Sequence, residues 1–288
     1  MNDALKQLLE ILSLKKIDEC LYMGDSQTTD WGRVYGGQVL AQGLAAAQLQ
    51  TSPDRDVHSF HSYFLRPGNP DLPIIYEVEC TLEAGTISNR RIVAKQGGKP
   101  SCVMAASFQL RMDGLNHRKP MPTVPEPEDT PLELISISEE IKLAPADWSP
   151  KFIAHQAIEF RNASDYDFLS PKTTEPVKRL WMRPRGTLPE DRNVHQYLLA
   201  YASDFFFLNV ATQPHGLSFI TENMRMATID HSMWYHRDFD FNDWLLYDME
   251  SPSASNGRGF VTGRVYDRAG RLVASSTQEG IMRISNKK

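Results

Sequence analysis

"WGRVYGGQVLAQGLAAAQLQ" occupies residues 31–50. It predicts a turn running into a helix, with Gly36 and Gly37 at the entrance and Val39, Leu40, Leu44 and Ala47 at helical spacing. Alanine and glycine fill most remaining positions, which suits a helix pressed closely against something flat. A second helix is expected over residues 191–209. Its end overlaps "YLLAYASDFFFLNVA" (residues 197–211), an apolar run with one carboxylate, Asp204, in its middle. A charge among Leu, Tyr and Phe is costly unless it is paired, hydrogen-bonded or protonated. Either Asp204 faces water or the protein uses it.

Each helix leads into strand-like sequence. After the first come residues 57–68, 73–85, 88–98 and 101–112, rich in Val, Ile, Tyr and Phe and parted by Gly, Pro and Asn turns. After the second come residues 224–236, 244–255, 258–270 and 272–284, with two further candidates upstream at 152–163 and 179–186. Between the two series lies "RKPMPTVPEPEDTP" (118–131), with five prolines and no hydrophobic period, the signature of a surface linker. One helix and then four strands thus occur twice, and some words recur. His61-Ser62 falls on His231-Ser232 at an offset of 170, and Gln109 on Gln278 at 169. The expectation is an internal duplication in the α+β class, two units each wrapping a sheet around one long helix. The first unit takes residues 1–115, the linker 116–149 and the second unit 150–288. A short amphipathic helix over residues 3–13 precedes the first.

The net charge of −5 over 288 residues argues against a nucleic-acid protein, which usually shows a basic stripe. The local clusters at residues 89–99 and 179–185 read as solvated strand and loop edges. Cys20, Cys80 and Cys102 are odd in number and far apart, so reduced thiols are expected rather than a disulfide framework. No run approaches the ~18 apolar residues of a membrane span, and neither terminus reads as a targeting signal. A soluble, cytoplasmic protein is expected, with no nucleic-acid or membrane partner. No G-x-S-x-G elbow or phosphate loop occurs, and "GRGFVTG" (257–263) misses the dinucleotide fingerprint by one position. His58 and His61, three apart on a strand, should point to opposite faces. They therefore do not make a metal pair, and no metal or cofactor is expected.

Several windows in order, "GGQVLAQGLAAA", "VHSFHSYFLRPG", "DLPIIYEVE", "NVHQYLLAYASD", "ATIDHSMWYHR", "WLLYDMESPSAS" and "VASSTQEGIMR", resemble the acyl-CoA thioesterase II family. The likeness runs from about residue 3 to 283 and weakens over 112–150. It implies a double hotdog fold, two tandem repeats in which an antiparallel sheet curls around a long central helix. It also implies hydrolysis of fatty acyl-CoA, medium to long in chain, to free acid and CoA. The family's active-site positions are filled here by Asp204, Thr228 and Gln278. In that reading Asp204, its pKa raised by apolar surroundings, positions and activates a water. Thr228 and Gln278 hold it without adding charge, and a helix-start N–H near residues 36–38 or 191–194 meets the oxyanion.

The first repeat sets His58 and Gln109 against Thr228 and Gln278, and Ala46 against Asp204. That implies one site per chain, lodged in the C-terminal repeat, with His58 as the rival base. A hydratase of this fold would carry a His five residues after the Asp, where this chain has Asn209; a passive acyl-binding module is the other rival. For the CoA phosphates Arg90, Arg91, Arg183 and Arg264 are all eligible. Phe205, Phe206, Phe207 and Met224 are candidates for an acyl tunnel, with a core role the stronger reading for each. A homo-oligomer, dimer or tetramer, is expected.

Overall fold

The computed structural model describes residues 1–27, 32–133, 157–164 and 170–285. Helix α1 (Asp3–Leu12) is capped by Asn2, whose side chain accepts from the Leu5 N–H at 2.9 Å, and it buries Leu5, Leu8 and Leu12. Next comes a hairpin that the sequence pattern did not reveal, β1 (Lys15–Asp18) and β2 (Leu21–Gly24), turning at Cys20 with φ 58°. Helix α2 (Gly36–Gln48) is buried on every side from Gly37 to Ala47, which explains its small residues. Its two buried glutamines are satisfied. Gln42 donates to Ile11 and Asp25 carbonyls and accepts from Tyr76, while Gln38 accepts from the Gln27 N–H.

Strands β3 (Arg55–Phe64), β4 (Ile74–Glu83), β5 (Ile87–Gln96) and β6 (Lys99–Leu110) wrap α2. The second half comprises β7 (Ile158–Asn162), β8 (Val177–Pro184), α3 (Arg192–Ser203), β9 (Met224–Thr228), β10 (Asp230–Tyr235), β11 (Leu245–Ser255), β12 (Arg258–Asp267) and β13 (Leu272–Ile284). All strands join one antiparallel 13-stranded sheet in the order β1-β2-β4-β5-β6-β3-β10-β13-β12-β11-β8-β7, with β9 paired to β13. The halves meet at β3–β10, where His231 lies opposite Ser62, and at α2–α3, which pack together inside the curl. This is the α+β double hotdog that the family resemblance implies.

Four expectations need correction. The second helix stops at Ser203, so Asp204 is its C-cap rather than a mid-helix residue. Phe206 then adopts φ 59°, a left-handed conformation unusual for a bulky side chain, and a 3-10 segment (Leu208–His215) continues across β8, β11, β12 and β13. The single strand expected over 224–236 breaks at Ile229 into β9 and β10.

The repeat offsets are also out of step at residue level. His231 is fully buried but His61 is exposed, and in β6 it is Phe108, not Gln109, that faces inward as Gln278 does. A one-residue slip reverses a strand's faces, and in β3 the bulge between Val57 and Ser59 supplies one. That bulge also overturns the opposed placement of His58 and His61. His58 joins Ser107 on the outer face (2.8 Å), where His61 bonds Ser232 (3.0 Å) and meets Trp234 edge-on.

The proline-rich segment runs over the surface and finds partners there. Met121 and Val124 pack on a cluster of Trp181, Trp244, Leu246 and Tyr266. Pro125 accepts from the Trp181 indole at 2.9 Å, and Glu133 pairs with the fully buried Lys178 at 2.5 Å. Residues 134–149 of the expected linker, and 152–156 of the expected strand, lie outside the described residues.

Candidate active site

Asp204, Thr228 and Gln278 come from three different elements and meet. Asp204 caps the end of α3, Thr228 is the last residue of β9, and Gln278 is buried in the middle of β13. The Gln278 Nε2 donates to Asp204 Oδ1 at 2.8 Å and to Thr228 Oγ1 at 2.7 Å. The break at Ile229 makes this possible. Ile229 donates to the Glu279 carbonyl and accepts from the Phe64 N–H. The Asp230 carboxylate takes the Glu279 N–H at 2.9 Å. These bonds anchor the strand directly after Thr228.

The other oxygen of Asp204 is held from the opposite half of the molecule: Oδ2 accepts from the Gly37 N–H at 3.0 Å. The carboxylate thus lies between two helix ends, the C-terminus of α3, which disfavours a negative charge, and the N-terminus of α2, which favours one. Burial pushes the Asp204 carboxyl above the usual carboxylate range, and the bonds from Gln278 and Gly37 hold it back. Gly36 and Gly37 permit this approach. A Cβ on Gly36 would lie 2.7 Å from Asp204 Oδ2, and one on Gly37 would lie 2.3 Å from the Tyr201 carbonyl. Asp204, Thr228 and Gln278 themselves all belong to the second half. The first repeat lacks a carboxylate of its own but supplies the helix N-terminus that Asp204 uses.

Behind Asp204 is a polar layer that sequence reading missed. Ser203 donates to the Ala200 carbonyl at 2.9 Å, so the His231 Nε2–H must donate to Ser203 Oγ at 3.0 Å. The Tyr247 hydroxyl donates to the Ser203 carbonyl (3.1 Å) and contacts Ser276 Oγ (2.8 Å). Burial pushes the His231 pKa down to about 3, so it is neutral at physiological pH. The only available sign was that Ser276 and Gln278 share a face of β13 by strand alternation.

Other candidates fall elsewhere. His58 is on the outer face of the sheet, bonded to Ser107, away from the helices. Residues 191–194 lie at the start of α3, the far end of that helix from Asp204, where Asp191 caps Asn193. Asn209 is a structural residue, its Oδ1 accepting from the Phe219 N–H at 3.0 Å. All four arginines proposed for phosphate binding are engaged in other contacts. Arg90 bonds Gln50, Leu82 and Glu83, and Arg91 pairs with Glu79. Arg183 stacks on Trp244, and Arg264 pairs with Asp248.

Two cavities open beside Asp204. One of about 380 Å³ is edged by Arg33 and Arg66 and reaches Gly36, Phe64, Asp204 and Thr228. The other, of about 220 Å³, is lined by Phe205, Phe206, Phe207, Phe219 and Met226, again with Asp204 and Thr228. Met226 faces it, and Met224, for which a core role was the stronger reading, does not. Among the described residues no group of three or more His, Cys, Asp or Glu is placed to hold a metal. No helix among them is long and apolar enough to cross a membrane.

Comparison with known proteins agrees with this architecture in both halves. Residues 25–109 match the model of an acyl-CoA thioesterase N-terminal domain, and residues 153–281 that of acyl-CoA thioesterase. Acyl-CoA thioesterase 2 of Haemophilus influenzae is 38% identical over 285 residues, covering 99% of this chain and 100% of the relative. Human acyl-coenzyme A thioesterase 8 is 35% identical over 283 residues, covering 95% and 88%. Among solved structures, acyl-CoA thioesterase II TesB2 from Mycobacterium marinum superposes with a TM-score of 0.80 at 33% identity, covering 97% of this chain and 99% of its own. A hotdog-fold protein from Alicyclobacillus acidocaldarius, at 19% identity and TM-score 0.77 over 97% of this chain and 99% of its own, shares the fold. With a relative this similar over its full length, the chain belongs to the acyl-CoA thioesterase II family, a family of thioester hydrolases.

Proposed function

We propose that this chain hydrolyses medium- to long-chain fatty acyl-CoA, with Asp204, Thr228 and Gln278 as its catalytic residues. The observation that carries the reading is the bifurcated bond from Gln278 to Asp204 and Thr228 at the junction of the two cavities. Asp204 takes a proton from water as the water oxygen bonds to the thioester carbonyl carbon. The C–S bond then breaks, the thiolate leaves and the proton passes to it. Such base catalysis contributes ~10²–10⁴-fold. Thr228 Oγ1 accepts from Gln278, so its own O–H is available to orient the water. The Gly36 N–H opens this helix N-terminus beside Asp204 and has no partner among the described residues, which suits it to receive the developing oxyanion. No covalent enzyme intermediate is needed.

In this reading the repeats are residues 1–115 and 150–288, and the protein works in the cytoplasm as a homo-oligomer, a dimer or tetramer. All three cysteines are free, as a reducing compartment favours. The test is thiol release from a panel of acyl-CoAs by wild type and Asp204→Asn. The variant keeps the volume but sets an amide N–H against one of the two donors that hold the carboxylate. Release is expected from wild type, with a loss of at least 10²-fold in the variant. Equal rates would remove Asp204 from the chemistry.

A further inference from the structure

We infer that Asp230 is a positioning residue: its carboxylate latches a one-residue bulge in the sheet, and that bulge brings Thr228 and His231 to the same inner face. This rests on the proposed catalytic role of Thr228 and Gln278. The bulge follows from the pairings along β13. Ser232 of β10 lies opposite Thr277, and Thr228 of β9 lies opposite Gly280. Three residues, 229–231, therefore face two, 278 and 279.

The extra residue reverses the faces. In β9 the even-numbered Met224, Met226 and Thr228 are the more buried, and in β10 the odd-numbered His231, Met233 and Tyr235 are. On β13 Ser276, Gln278 and Gly280 are buried together. Thr228 and His231, three apart, would lie on opposite faces of a regular strand. Here both reach the inner one, Thr228 to Gln278 and His231 to Ser203.

Neither regular register would build the site. If the pairing of β10 continued into β9, Thr228 would lie opposite Ile281 and point outward, away from Gln278. If the pairing of β9 continued into β10, Asp230 would lie opposite Gln278 on the inner face, and His231 would leave Ser203. A second carboxyl there would disfavour the charge on Asp204.

The bulge is held from both sides. Ile229 accepts from the Phe64 N–H of β3 at 2.8 Å and donates to the Glu279 carbonyl at 2.9 Å. Glu279 is paired with no residue of β9 or β10, and the Asp230 Oδ1 accepts its N–H at 2.9 Å. A backbone N–H left without an acceptor is costly, and a carboxylate accepts more strongly than a neutral oxygen. The Glu279 side chain is itself engaged, by Arg258 at 2.8 Å.

The test compares Asp230→Val, a strand-favouring side chain with no acceptor, with Asp230→Asn, which keeps an acceptor oxygen. Steady-state thiol release from acyl-CoA is the readout. A misplacement on the order of 1 Å costs about 10²-fold, so kcat should fall at least about 10-fold in Asp230→Val. It should stay within roughly threefold of wild type in Asp230→Asn, where the bond is weakened but kept. Ser251→Ala removes a comparable side-chain bond, to the Phe260 carbonyl at 2.7 Å, and as the stability control should keep the wild-type rate. Because Asp230 acts through Thr228, Asp230→Val should cost less than about twofold more in a Thr228→Ala background.

A wild-type kcat in Asp230→Val, equal losses in the Val and Asn variants, or a full further loss in the Thr228→Ala background overturns the inference. Failure of Asp230→Val to fold overturns it as well, since Asp230 would then be structural. Wild-type rates in Thr228→Ala and Gln278→Ala would remove the catalytic reading itself, and the inference with it. Losses in those two beside a wild-type Asp230→Val would remove the inference alone.

Discussion

Replacing Gly36 by alanine adds one carbon at the most crowded point of the site. The new Cβ would lie 2.7 Å from Asp204 Oδ2 and 3.3 Å from Phe64 Cζ, whereas ordinary contact begins at 3.4 Å. The aromatic ring blocks retreat of the Cβ, so the carboxylate must withdraw by about 0.7 Å. That displacement lengthens the 3.0 Å bond from Gly37, the 2.8 Å bond from Gln278, or both, toward the limit of hydrogen bonding. A misplacement on the order of 1 Å costs about 10²-fold in rate, and a loss of that order in kcat is expected.

Stability should respond little. Overpacking destabilises by ~1–3 kcal/mol, but alanine in place of glycine favours a helix by up to ~1 kcal/mol. The assay is steady-state thiol release beside thermal denaturation. Gly85→Ala serves as control, because nothing lies within 4 Å of a Cβ there. A folded Gly36→Ala protein with kcat within threefold of wild type would refute the claim that carboxylate placement governs turnover.

Three further outcomes are expected. The acid limb of kcat/KM should lie above the ordinary aspartate value of 3.8, because activity is lost as pH falls through the raised pKa of Asp204; Gln278→Glu, which sets a second carboxyl against it, should move that limb higher still, and an unmoved limb would detach the profile from this pair. Because burial holds His231 near a pKa of about 3 against 6.5 when unfolded, its contribution is complete above pH 6.5 and is lost toward pH 3. The slope is up to ~1.4 kcal/mol per pH unit, and urea midpoints of His231→Gln should show a flatter fall over that window. Tyr247→Phe strands the Ser203 carbonyl and should destabilise by ~1–3 kcal/mol, measured by denaturant unfolding, while Asp204 turnover drops less than in Gly36→Ala.

Much of the fold was legible in one dimension because its signals are local. The small-residue period of α2, the alternation of β12 and β13 and the Gly, Pro and Asn turns each act over a few residues. Their recurrence in the same order disclosed a duplicated architecture. The identity of Asp204, Thr228 and Gln278 as candidates came through matched family motifs, since a lone strand threonine or glutamine carries no sign of use.

Tertiary structure alone decided register, end-points and company. A single bulge at Val57–Ser59 put His58 and His61 on the same outer face of β3. Tertiary contacts drew residues 118–133 down onto Trp181, although nothing in their pattern forecast a partner. Above all, the environment of Asp204 depends on α2, 167 residues away in sequence. A carboxylate's pKa and reach are set by the groups within a few ångströms of it, and those are chosen by packing between the halves rather than by neighbours along the chain.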